Sequence, residues 1–179
     1  VLARHGGCAL SLDGLRSLPS EIATILAHYK GNLSFAGLTT LDADVASRLA
    51  THTLGLSFEG LTDLSRETAD ALVPHGGMLF LDGLTSLSAD VARSLSLYEG
   101  VMLSLGRLHD LPDDVAAALA EYRGVLSLTG VQTLSEASAR LMAARSARVV
   151  LTGLTSLSPT AAATLRGSPV VELGTHHAP

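Results

Sequence analysis

The chain has 179 residues, 47% of them hydrophobic, and its 12 basic against 17 acidic side chains give a formal net charge of −5. An acidic balance with no basic stripe argues against nucleic acid as a partner, and no apolar run reaches the roughly 20 residues needed to span a bilayer. Cys8 is the only cysteine, so an intrachain disulfide is excluded and the redox compartment stays open.

The first unit that can be read whole begins at Leu10. Leu10 and Leu12 lie two apart, the spacing of side chains on one face of a strand. Gly14 follows where the chain must bend, a place for either positive φ or close backbone approach. Beyond Leu18, the residues Ile22, Ala23 and Leu26 form a helical stripe, and Glu21 sits where the helix dipole favours negative charge. Tyr29 closes the unit. The same order restarts at Leu33, Leu56, Leu79, Leu103, Leu126 and Val149, so the chain repeats itself every 23 residues.

Superposing the units gives columns with physical meanings. The second strand slot holds Phe35, Phe58, Leu81, Leu105, Leu128 and Leu151, and the bend holds Gly37, Gly60, Gly83, Gly130 and Gly153. Asp42, Ser65, Ser88, Ser135 and Ser158 stand where a side-chain oxygen can cap a helix, with Pro19 and Pro112 in the same slot and Pro159 one later. Ser17, Thr40, Asp63, Ser86, Asp110, Thr133 and Ser156 offer an alternative cap two residues earlier. An Ala column runs Ala23, Ala46, Ala69, Ala92, Ala116, Ala139 and Ala162. Helices normally pack about 8 to 10 Å apart and strands about 4.8 Å apart, so stacked units must curve or tilt, and Ala lets the helices crowd.

These columns predict an α/β fold, a right-handed solenoid of about seven 23-residue strand-turn-short-helix repeats with a parallel sheet on the concave face and short helices outside. Residues 1–179 read as a single array with no internal boundary. Leu2 and His5 fall in the slots of Leu26 and Tyr29, so the chain opens inside a unit; Val171, Glu172, Leu173 and Gly174 restart a strand. This predicts a fragment of a longer array, or terminal faces that pack against another copy or domain. The period lengthens to 24 between Leu79 and Leu103, and Gly106 then comes one residue early, leaving Arg107 in the glycine slot, so that turn should differ.

Short strand, Leu-rich turn and short helix resemble a leucine-rich repeat array, closest to its irregular bacterial varieties. The slot that the common pattern L-x-x-L-x-L-x-x-N gives to Asn carries Leu15, Leu38, Leu61, Leu84, Leu108, Val131 and Leu154, so no Asn ladder can satisfy the turn backbone. The resemblance implies binding of proteins, sometimes saccharides, on the concave sheet.

Strand alternation turns Ser11, Ser34, Ser57, Phe80, Ser104, Ser127 and Val150 outward. Phe80 interrupts a small, polar column, with Met78 and Met102 nearby and Glu59 and Asp82 flanking it. These five residues with Ser57 and Ser104 are the candidate partner-binding site; the alternative is that Phe80 shields a bulge. A second column, His5, Tyr29, His52, His75, Tyr98, Tyr122 and Arg145, puts two imidazoles on adjacent rungs, as a metal or coupled-titration site would. No carboxylate or thiol joins them in phase, and Tyr in the same slot points to a structural need for a planar, amphipathic group.

No nucleophile elbow or phosphate loop is present, and the serines recur by period rather than beside a His and an acid. No catalytic residue, metal ligand set or cofactor is therefore expected. The expected function is a non-catalytic protein-binding or scaffold module whose protein partner is unidentified. The alternative is a structural spacer or self-assembly unit joined end to end.

Overall fold

The computed structural model describes residues 9–174. Eight short strands alternate with seven short helices. The strands are β1 (Ala9–Ser11), β2 (Asn32–Ser34), β3 (Leu56–Ser57), β4 (Met78–Phe80), β5 (Met102–Ser104), β6 (Val125–Ser127), β7 (Val149–Leu151) and β8 (Val171–Leu173). Between them run α1 (Ser20–Leu26), α2 (Ala43–Leu49), α3 (Arg66–Leu72), α4 (Ala89–Ser96), α5 (Asp113–Ala120), α6 (Glu136–Ala143) and α7 (Pro159–Arg166). All eight strands form one open parallel sheet in sequence order, a solenoid-like arrangement in which each strand pairs with its chain neighbours.

Register follows the Leu column. Leu10 pairs with Leu33, Leu33 with Leu56, Leu56 with Leu79, Leu79 with Leu103, Leu103 with Leu126, and Leu126 with Val149. A slip of one residue would turn every inward leucine to solvent, so burial of this column locks the pairing. The extra residue between Leu79 and Leu103 is absorbed outside the ladder, where Val101 lies exposed.

The first six strands each end in a tight turn closed by its own backbone, as where Leu15 N–H donates to Leu12 O at 3.0 Å, Leu38 to Phe35 O at 3.0 Å, Leu61 to Phe58 O at 3.2 Å and Leu84 to Leu81 O at 3.1 Å. This local closure serves where no Asn ladder exists. Among the described residues none has positive φ, so the glycines here serve close approach. A Cβ on Gly37 would lie 2.1 Å from Asp13 O, and one on Gly60 2.2 Å from Ala36 O. Turns stacked this closely exclude a side chain at these two positions.

The later of the two cap columns is the one used. Ser65, Ser88, Ser135 and Ser158 accept from the backbone N–H three residues on, while Pro19 and Pro112 occupy the cap itself with extended backbone. Ala23, Ala46, Ala69, Ala92, Ala116 and Ala139 are fully buried between successive helices. Ala162, on the last described helix, is only half-buried. The helix side facing water carries ion pairs: Arg48 with Asp44 (3.2 Å), Arg66 with Asp70 (3.6 Å), Arg140 with Glu136 (3.2 Å), and Arg93 with Asp90. Among the described residues no helix is long and apolar enough to cross a membrane. Leu2, His5, Cys8, His176 and His177 lie outside the described residues.

Candidate functional site on the sheet face

The strands present one face to the core and one to solvent, and the solvent face collects the candidate residues. Phe80 on β4 stands in register between Ser57 on β3 and Ser104 on β5, and Met78 stands opposite Met102. Phe80, Met78 and Met102 are all half-buried. Phe80, Met78, Ser57 and Glu59 line one groove of about 280 Å³ together with Asn32 and Ser34. Met102, one strand further, lies outside its lining.

Glu59 also borders a second, polar cleft of about 490 Å³ with Asp82, Gly106, Arg107 and Thr129. This cleft opens at the turn where Arg107 replaces the glycine of the other units, which places the predicted local irregularity on the candidate surface itself. In the units before it, a Cβ on Gly60 or Gly83 would lie 2.2 or 2.3 Å from a backbone oxygen of the preceding turn, so Arg107 needs a local arrangement of its own.

Two of the candidates have structural duties. Asp82 Oδ1 accepts from Ser104 Oγ at 2.7 Å and from Gly106 N–H at 2.6 Å, tying β4 to the next unit. Asp13 does the same one end earlier, accepting from Ser11 Oγ (2.6 Å), Ser34 Oγ (2.5 Å) and Ala36 N–H (2.8 Å). The Ser11 hydroxyl, then Ser34 and the Ala36 amide, hold the Asp13 carboxyl below the usual carboxylate range. Glu59, by contrast, is exposed, and its described hydrogen bond is a long one from Ser57 Oγ, 3.4 Å.

The expectation that the whole Ser column faces water needs correcting. Ser104 and Ser127 are only 5% and 6% exposed. They lie side by side in register between Phe80 and Val150, whose larger side chains rise over a trough that a hydroxymethyl group cannot fill. Depth on a sheet face depends on neighbouring side chains as well as on alternation.

The ring column proves to be part of the core. Tyr29, His52, His75, Tyr98, Tyr122 and Arg145 are all buried. Ring centroids are 6.3 Å apart for His52 and His75, 6.0 Å for His75 and Tyr98, and 5.9 Å for Tyr98 and Tyr122, with the Arg145 guanidinium 5.8 Å from the Tyr122 centroid. From His52 on, each reaches back one unit to a backbone carbonyl: Tyr98 Oη donates to Gly77 O (3.1 Å), Tyr122 Oη to Gly100 O (2.7 Å) and Arg145 Nη2 to Gly124 O (2.9 Å), while His52 Nδ1 contacts Ala27 O (3.2 Å) and His75 Nδ1 contacts His52 O (2.8 Å). Burial pushes the His75 pKa down, against its hydrogen bonds to the His52 and Met78 carbonyls, and pushes the Tyr122 hydroxyl up to about 12. Among the described residues no group of three or more His, Cys, Asp or Glu side chains could hold a metal ion.

Sequence reasoning missed the Asp13 and Asp82 links, the part of Asn32 and Ser34 in the groove, and a groove of about 800 Å³ beside exposed Leu97 and Val101. The added residue at Val101 was the available signal for the last of these. No protein-family model matches this chain, and no curated protein matches it either.

Proposed function

We propose that this chain is a non-catalytic protein-binding module, a right-handed solenoid of the leucine-rich-repeat kind that holds partners on the concave face of its sheet. The observation that carries the reading is the groove at Met78 and Phe80, two large apolar side chains left partly exposed beside Ser34 and Ser57. The helix side differs: four of its acids, Asp44, Asp70, Asp90 and Glu136, are joined to arginines at i, i+3 or i, i+4.

Strands stack about 4.8 Å apart and helices normally pack about 8 to 10 Å apart, so joining them unit by unit favours an array that bends toward its sheet. The non-catalytic reading rests on how the reactive groups are used: Ser34 and Ser104 donate to carboxylates, and His52 and His75 are enclosed in the ring column.

The test is selection of binders from a displayed random-peptide pool, followed by rebinding to Phe80→Ser and to Arg66→Ala as a helix-side control. Phe80→Ser is expected to lose most binders and Arg66→Ala to keep them. Binders lost with Arg66→Ala and kept with Phe80→Ser would reject the sheet face as the contact surface.

A further inference from the structure

The sheet face is electrically divided. In the strand segments 9–13, 32–36, 55–59 and 78–82 the charged side chains are Asp13, Glu59 and Asp82, all acids. In the segments 102–107, 125–129, 148–152 and 171–174 they are Arg107, Arg148 and Glu172, the last two paired with each other. The groove at Phe80 lies wholly in the acidic half, and its lining includes no basic side chain.

How these acids are held matters more than their number. The helix-side acids Asp44, Asp70, Asp90 and Glu136 each face an arginine. The donors to Asp13 and Asp82 are serine hydroxyls and backbone amides, all neutral, so their hydrogen bonds fix the carboxylates in place without cancelling their charge. Glu59, at the rim shared by the groove and the polar cleft, is exposed, and Arg107 borders the cleft but not the groove. Glu59 is thus the charged side chain of the slot itself, with Asp13 and Asp82 in the same half of the sheet.

Dimensions narrow the occupant further. The slot crosses from Ala9 on β1 to Phe80 on β4, three interstrand steps or about 14 Å, the span of about four extended residues. Serines at its floor, Ser34 and Ser57, are in register and leave room for backbone passing across the strands.

We propose that the groove takes an extended cationic protein segment, with one large apolar side chain seated against Met78 and Phe80 and a neighbouring lysine or arginine against Glu59. This rests on the sheet face being the contact surface. The apolar anchor supplies affinity through burial, and the carboxylates select the sign of the flanking residue.

Three sets of seven-residue peptides test it, each with a central Leu, Met or Phe and with Lys, Ser or Glu on both sides. Against the full chain, the Lys set is expected to bind about threefold or more tighter than the Ser set at low salt, the Glu set to bind weakest, and the order to flatten as salt rises. Glu59→Lys should reverse the order of the Lys and Glu sets, and Phe80→Ser should weaken the Lys set about tenfold or more. Thermal melting confirms that both variants stay folded, and because Glu59 is exposed its variant reads independently of Phe80. Binding that needs Phe80 but ignores flanking charge overturns the cationic partner and leaves the sheet-face reading standing. Binding that ignores Phe80, or no binding by any set, overturns both.

Discussion

Two columns run the length of this molecule, and they tolerate change differently. The ring column varies from Tyr to His to Arg, yet from His52 onward its members share one pattern, a planar group about 6 Å from its neighbour and bonded to a carbonyl one unit back. The strand-face column is almost all Ser, yet its one aromatic, Phe80, is set between Ser57 and Ser104 with no such repeated contact. Variation that preserves a contact marks a structural position. A departure that serves no contact within the fold is where a partner is to be sought.

The largest effect should come from breaking the first column. Tyr122→Ala removes a fully buried ring, opens a cavity between Tyr98 and Arg145, and strands the carbonyl of Gly100. A loss of about 3 to 5 kcal/mol is expected for the ring, and Tyr122→Phe should cost only about 1 kcal/mol for the hydrogen bond. Urea denaturation of the three proteins checks both; equal losses would mean that the hydroxyl, and not stacking, holds the column. Ala92→Leu comes next. Ala92 is fully buried where α4 meets its neighbours, so added methyl groups should overpack the helix layer by about 1 to 3 kcal/mol, read as a lowered melting temperature.

Acid probes the same column through His75. Burial lowers its folded pKa below the 6.5 of a free imidazole, so below pH 6.5 the unfolded chain takes up a proton that the folded chain refuses. Stability is therefore full above pH 6.5 and lost as pH falls toward the folded value. The facing groups are the His52 ring and the Tyr98 ring, neither a carboxylate that could offset a charge on His75. His75→Tyr, the residue type used at the next position in this column, Tyr98, should remove that part of the acid loss. It should leave the part below pH 3.8 that belongs to Asp13 and Asp113, whose carboxyls are held low by hydroxyl donors, Ser11 foremost for the first and Ser135 for the second. Urea midpoints from pH 8 to pH 3 separate the two; an unchanged limb near pH 6 in the variant would remove His75 as its source.

Much of this was legible in the sequence because the units must agree with one another. Leu pairs with Leu across every rung from Leu10 to Leu126, and the Ala column is buried, because stacking imposes one geometry at each repeat. The candidate residues Met78, Phe80, Ser57 and Glu59 do share a groove for the same reason. What escaped was whatever depends on differences between units. Asp13 and Asp82 reach across to the next turn, whereas the same slot holds Ala36 or Thr129 elsewhere, so no column announces the link. Ser104 and Ser127 are buried while Ser34 and Ser57 in the same column are not, a difference set by neighbouring side chains that no single column records.

The smallest effect on stability should come from the residue with the largest effect on binding. Phe80 is partly buried, and its in-register neighbours are serines, so Phe80→Ser gives up less packing than loss of a fully buried ring and continues a column that the sheet already accommodates at Ser34, Ser57 and Ser104. A loss of about 1 kcal/mol is expected, the usual size for a point substitution. Measured beside Tyr122→Ala, this sharpens the contrast between the columns: one holds units together, while the other can be made uniform at a much smaller cost. If Phe80→Ser lowered the urea midpoint as much as Tyr122→Ala does, Phe80 would have a packing role of its own, and its departure from serine would no longer point to a partner.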